Sequence, residues 1–353
     1  MPHPPEPQQA DPRARVKALA TQAGHALHLC REGAMEEGLG EYRRLLNKPG
    51  ALELPLALHT AMLADCGQSE AAQTLRRLSL IIGADLSINA LRRPLASRDQ
   101  TIQEYDRLFA ENAINATMIH HYLMMLSAAG RVSDMAPLVD TALIESHDLT
   151  HEGGPVPPID PAEVTAAIMN KVDETAWFER CQATRNCYHL DAVHKMADPA
   201  IATLMTAIAA HVERYRARPV SGAHPALSWR PKDISVGGWV DIFNKPGGYQ
   251  GRHIHPRGWL IAVYYSAVPG EARAPGCDAG CLRIGQPAAL GNTAAGWPDL
   301  TLAPKAGQLL LLPSYLTHWT VPTTGSGLRI AVVIDVEDRR EEGVKSREEG
   351  IRK

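Results

Sequence analysis

Three histidines and an arginine in the C-terminal third are the residues whose types and spacing could do chemistry. His253 and His255 stand two apart in Arg252-His253-Ile254-His255-Pro256, and His318 lies in Pro313-Ser314-Tyr315-Leu316-Thr317-His318-Trp319. Successive residues of a strand alternate in direction, so residues two apart share a face. On a strand, His253 and His255 would project together, close enough to hold one ion. Neutral imidazole is a good ligand for iron, copper, zinc or nickel, and a third histidine on a neighbouring strand makes His253, His255 and His318 a candidate metal centre. Arg329 sits in the otherwise apolar run 328–336, where an unpaired guanidinium would be costly to bury. Cys277 and Cys281 are the other pair with ligand character, but they lack the tight Cys-x2-Cys spacing of common zinc sites. With the rest of the six cysteines they read as free thiols of a reducing compartment.

The elements that must position these residues change character along the chain. After Pro219 come about eight short apolar or alternating runs, among them 238–243, 260–265, 307–312 and 328–336, with His253 and His255 opening another. Glycine and proline punctuate them. Short strands at such spacing predict an all-β sandwich or barrel, here about residues 221–337. Ahead of it, 16–147 has helical periodicity. Gly33 and Gly67 each stand between two helix-like runs, at about the 34-residue period of tetratricopeptide repeats. Gly130 centres a third, degenerate unit between runs 118–128 and 132–143. Gly153-Gly154-Pro155-Val156-Pro157-Pro158 reads as a stiff, helix-breaking linker. The expected organisation is α+β: a tail at 1–15, a helical domain at 16–152, a second domain at 159–340 whose barrel is supported by helices at 161–169 and 199–216, and a charged tail at 341–353.

Both parts resemble known families. The N-terminal units resemble tetratricopeptide repeats through the glycine spacing. The stretch from about Asp198 to Val336 resembles the iron(II)/2-oxoglutarate-dependent oxygenases, with a jelly-roll, cupin-like barrel. The matching runs, in order, are His253-Ile254-His255-Pro256, Val263-Tyr264-Tyr265, residues 307–313, Ser314, His318 and Arg329-Ile330. The resemblance implies Fe(II) and 2-oxoglutarate as cofactor and co-substrate, O2 as oxidant, and His253 and His318 as iron ligands. It implies that Arg329 clamps the distal carboxylate of 2-oxoglutarate, a task suited to a planar bidentate donor, and that Tyr265 reaches the same carboxylate. Adjacent strand residues face opposite ways, so Tyr264 is left for packing.

One position departs from the family pattern, which has a carboxylate where this chain has His255. Three readings stay open there: His255 is the third ligand, or a carboxylate such as Asp241 completes the site with His255 behind it, or the position is left to water or halide. The implied activity is oxidative decarboxylation of 2-oxoglutarate to succinate, coupled to hydroxylation of a peptide or protein side chain or an amino-acid-like substrate. Asn244, Gln250, Trp259 and Trp319 are candidates for the pocket wall. Two other classes compete: a 2-oxoglutarate-independent, three-histidine cupin-type dioxygenase, which leaves Arg329 unexplained, and a non-enzymatic helical-repeat interaction protein.

A formal net charge of −3 over 353 residues argues against a nucleic-acid or anionic-membrane surface. No apolar run approaches the roughly 18 residues needed to span a bilayer, and the amino terminus lacks the basic and apolar regions of a signal peptide, so the expected location is cytoplasmic. The helical part is open to three uses: a groove for a peptide or protein substrate, packing against the second domain, or a homodimer.

Overall fold

The computed structural model describes residues 12–48, 54, 56–81, 95–151, 157–172, 183–219, 224–270, 276–287, 290 and 295–339. Most of both expected tails, most of the 153–158 linker and Cys181 lie outside the described residues. The chain divides into two compact units, 1–107 and 108–353.

In the first unit, α1 (Pro12–Arg31) packs on α2 (Met35–Leu46), α3 (Leu56–Asp65) packs on α4 (Ser69–Ile81), and α2 also meets α4. The turns within the pairs hold Gly33 at φ 89° and Gly67 at φ 77°, a left-handed conformation that glycine adopts without a steric penalty. Leu27, Leu39, Tyr42, Leu45, Leu63 and Leu75 form the middle of the core, and the buried Tyr42 hydroxyl hydrogen-bonds His59 Nδ1 at 2.7 Å. Two helix–turn–helix pairs thus form in this unit. Pairing alone does not establish the resemblance to tetratricopeptide repeats.

The third expected unit turns out differently. Helix Ala116–Ala128 ends at Gly130, φ 72°, but the following helix lasts only for Val132–Met135. Pro137 cannot donate the next helical hydrogen bond, and the chain continues in two 3-10 turns, Ala136–Leu138 and Thr141–Leu143. It then enters a strand, β1 (Glu145–Asp148), on the helical side of the boundary read from the sequence.

That strand belongs to the main sheet of the second unit. The sheet is antiparallel, in the order β1, β9 (Gln308–Pro313), β6 (Gly258–Ala267), β11 (Arg329–Asp338), β4 (Ile234–Phe243) and β3 (Tyr188–Asp191). A second sheet orders β10 (His318–Thr320), β7 (Leu282–Ile284) and β8 (Leu300–Leu302), and β2 (Thr184–Arg185) pairs with β5 (Tyr249–Gln250). These are the antiparallel sheets of a jelly-roll, and helix Pro161–Met169 packs on β6. One expectation is corrected: 253–255 is not the start of a strand. It lies in the segment ahead of β6 and touches the sheets through a single bridge, His253 to His318.

Register fixes which side chains share a face, because directly opposed residues of an antiparallel pair point the same way. Arg329 opposes Phe243; Ala331 opposes Asp241 and Tyr265; Val333 opposes Trp239 and Val263; Asp335 opposes Gly237 and Ile261. One face of β4, β6 and β11 therefore carries Tyr265, Arg329, Asp241, Trp239 and Asp335. Tyr264 points the other way, where Asp148 and Asp160 are its charged neighbours. Among the described residues no helix is long and apolar enough to cross a membrane.

Gly307 stitches β1 to the sheet. Its N–H donates to Tyr265 O at 2.8 Å, its carbonyl accepts from Leu149 N at 2.9 Å, its φ is 84°, and an added Cβ would collide with Thr150. Gly307→Ala should lower stability by about 1–3 kcal/mol, read as a lower urea midpoint at unchanged slope.

Candidate metal centre

The three histidines converge. His253 and His318 exchange both backbone hydrogen bonds, each at 3.1 Å, and His255 N donates to Ser314 O at 3.0 Å. These bonds lash the segment ahead of β6 onto β10 and the turn before it. His318 in turn is placed by β10, opposite Ile284 on β7. Ring centroids lie 4.3 Å apart for His253 and His318, 5.1 Å for His253 and His255, and 5.2 Å for His255 and His318. One ring nitrogen from each falls within 4.8 Å of the other two.

Hydrogen-bond partners decide which nitrogens these are. His253 Nδ1 faces Gly251 O at 2.7 Å, and His318 Nδ1 faces Leu316 O at 2.9 Å. A carbonyl only accepts, so each Nδ1 carries the hydrogen. His255 Nδ1 meets the carboxylate of Asp335. With the imidazoles neutral, each Nε2 keeps its lone pair, and the Nε2 atoms of His253 and His255 stand 3.3 Å apart. Two lone pairs so placed repel one another, and a cation between them relieves the repulsion. Burial, then the neighbouring His255, brings His253 down to about 4, and burial with His253 and His255 nearby holds His318 well below its ordinary value. Neutral imidazole is the form that binds a metal. The donor set fits a divalent transition metal such as Fe(II).

Arg329 and Tyr265 form a second, separate feature. Arg329 is 1% exposed; its Nε donates to Gly280 O at 3.1 Å, while Nη1 is buried with no protein partner. Its guanidinium carbon lies 5.1 Å from the Tyr265 ring centre and 5.2 Å from that of Phe243. The Tyr265 hydroxyl is also buried; it interacts with the Arg329 guanidinium and finds no acceptor of its own among the described residues. Two such donors in one apolar enclosure call for an anionic acceptor, and a carboxylate of 2-oxoglutarate fits.

Residues 237–335 match the family model described as "Putative 2OG-Fe(II) oxygenase". That stretch runs from within β4 to within β11 and holds all three histidines and Arg329, so the barrel is similar to that family. The family uses Fe(II) and 2-oxoglutarate. No curated protein sequence matches the chain. Among solved structures, a Trichoplax adhaerens prolyl hydroxylase, in complex with a peptide fragment of the hypoxia inducible factor oxygen degradation domain, aligns at 17% identity and TM-score 0.41, covering 61% of this chain and 92% of that one. A Pseudomonas putida prolyl-4-hydroxylase aligns at 18% identity and TM-score 0.37, covering 61% and 99%. An oxidoreductase of the 2OG-Fe(II) oxygenase family from Burkholderia pseudomallei aligns at 13% identity and TM-score 0.37, covering 59% and 90%.

The barrel treats the remaining candidates unequally. Asp241 is fully buried, and both its oxygens are committed: Oδ1 accepts from His189 Nδ1 at 2.9 Å and from Cys187 Sγ, Oδ2 from Gln250 Nε2 at 2.7 Å and Trp239 Nε1 at 3.1 Å. It is not among the converging groups. Gln250 serves that network, Trp319 stacks under the Arg252 guanidinium at 4.3 Å, and the Asn244 Oδ1 is buried without a partner. Trp259 instead packs on Tyr215 and donates to Trp229 O. Cys281 is buried and Cys277 half-buried, both as free thiols. Sequence reasoning missed Asp335 and Trp239, whose ring stacks on His255 with centroids 5.5 Å apart. The signal was their parity with Arg329 and Asp241 on β11 and β4.

Burial pulls the His189 pKa down, but its hydrogen bond to Asp241 and the charges of Asp241 and Asp191 outweigh this and raise it. Protonated His189 should therefore stabilise the folded domain fully below about pH 6.5, with that contribution lost as pH rises through the raised folded value. In urea titrations at several pH values, the stability gap between the native protein and His189→Gln should shrink as pH rises from about 6 to about 8.

Proposed function

We propose that this protein is an Fe(II)- and 2-oxoglutarate-dependent dioxygenase that hydroxylates a C–H bond of a peptide or protein side chain, or of an amino-acid-like substrate. His253, His255 and His318 hold the iron through Nε2, and Arg329 with Tyr265 holds the distal carboxylate of 2-oxoglutarate. The observation that carries this reading is the buried Arg329–Tyr265 pair, whose guanidinium Nη1 has no acceptor, on the same sheet face as Asp335, the partner of His255. Fe(II) bound by the histidines supplies O2 activation coupled to decarboxylation of 2-oxoglutarate to succinate and CO2.

The chain's own residues bind, orient and exclude water. The Arg329 fork and the Tyr265 hydroxyl fix one end of the co-substrate, so that its other end meets the metal in one pose. Their burial keeps water from competing for those donors. The backbone bridge between His253 and His318 holds two ligand-bearing segments together before any metal arrives. Three neutral imidazoles also suit a cupin-type dioxygenase that needs no 2-oxoglutarate, but that activity leaves the Arg329–Tyr265 pair without a partner.

Succinate release matched one to one with O2 uptake is expected, and O2 uptake that is indifferent to 2-oxoglutarate would sink the proposal. Arg329→Gln should weaken 2-oxoglutarate binding by at least about 30-fold, about 2 kcal/mol, while metal stoichiometry stays at the native level, both read by calorimetry. His253→Ala, His255→Ala and His318→Ala should each lower metal occupancy, and full occupancy in His255→Ala would remove it from the ligand set.

A further inference from the structure

We infer that Asp335 is a positioning residue of the metal centre. Through its hydrogen bond to His255 Nδ1 it fixes that imidazole's tautomer and ring orientation. It also places behind that imidazole, across the ring from the metal-facing Nε2, the negative charge that a carboxylate ligand would bring directly. The inference rests on the proposed role of His255 as an iron ligand.

The three imidazoles are not held alike. His253 and His318 each donate Nδ1–H to the carbonyl of the residue two before them, Gly251 and Leu316, a neutral acceptor from their own segment. His255 alone is held by a side chain, and that side chain is a carboxylate 80 residues away on β11. A hydrogen bond to an ionised acceptor is roughly twice as strong as a neutral one. A carboxylate behind a ligating histidine also raises the basicity of its other nitrogen. The histidine standing where the family has a carboxylate is thus the one backed by a carboxylate.

Asp335 is built to hold a fixed place. It lies on β11, between β6 and β4, opposite Ile261 and Gly237, and Gly237 brings no side chain to compete for the space. Its side chain is 15% exposed, so the carboxylate is largely withdrawn from water and its oxygen is aimed at one partner. The second restraint on His255 is the Trp239 ring, stacked on it with an interplanar angle of 13°. Trp239 is locked in turn by donating Nε1–H to Asp241 Oδ2. Between the carboxylate at Nδ1 and the indole on its face, the imidazole has one orientation, with Nε2 directed at the other two histidines.

The test uses the full-length protein and Co(II), whose visible d–d bands report ligand field and coordination. Affinity is read by chelator competition, and thermal unfolding of the metal-free proteins checks the fold. The native protein should bind one Co(II), and His253→Ala should not. Asp335→Asn should weaken Co(II) by about 10-fold and Asp335→Leu by about 100-fold, both with displaced d–d bands. Asp335→Asn is isosteric, so it still reports if Asp335→Leu fails to fold. Native affinity and an unchanged spectrum in the Asn variant would overturn the inference. So would loss as complete as in His253→Ala, which would make Asp335 a direct ligand. Failure of the native protein to bind Co(II) would overturn the three-histidine reading itself, and this inference with it.

Discussion

Three imidazole hydrogens, each already given to an acceptor, are the constraint around which the barrel is organised. Once Gly251, Leu316 and Asp335 take the Nδ1 hydrogens, the Nε2 lone pairs have nowhere to turn but toward each other. Water could satisfy such lone pairs at a surface. Here His255 and His318 are buried, so the arrangement stores a demand for a cation. Such second-layer contacts matter as much as the ligands, because a ring free to flip would present a hydrogen where the metal needs a lone pair.

The same logic, with the sign reversed, governs Arg329. A buried guanidinium with one nitrogen unmatched, beside a buried phenol, is a demand for an anion. The anion demand lies where β4, β6 and β11 run side by side, and the same face carries Asp335, which reaches His255 of the cation demand. Those are long central strands, and β6 is buried on nearly all its length. Side chains there have few alternative rotamers, which suits groups that must meet a co-substrate in one pose.

The residues proposed to do the chemistry were legible in the sequence; their supports were not. The His253–His255 pair, His318 and Arg329 stood out by type and spacing, and the alternation argument put Tyr264 and Tyr265 on opposite faces, as the register does. The local structure assumed for the pair was different, since 253–255 is held by a bridge and not by a strand. The imidazoles still meet, because backbone hydrogen bonds to His318 and Ser314 do the work that strand pleating was expected to do. Strand β1, Glu-Ser-His-Asp, lacks any apolar alternation and reads as an unremarkable end to a helical region. Only its pairing with β9 gives it a place in the sheet.

Composition and periodicity by themselves determined a helical N-terminal part, a β-rich C-terminal part, and one cluster of metal-ligating residue types. These are local properties, carried by side-chain pattern and by glycine and proline at turns. Tertiary structure alone decided which carboxylate serves the site. Asp241 looked available in the sequence, yet four donors from separate parts of the second unit occupy it. Asp335 lay unremarked in the run 328–336, yet its carboxylate meets His255 Nδ1. Whether a carboxylate is free or taken depends on donors distant in the chain, and no local pattern encodes them.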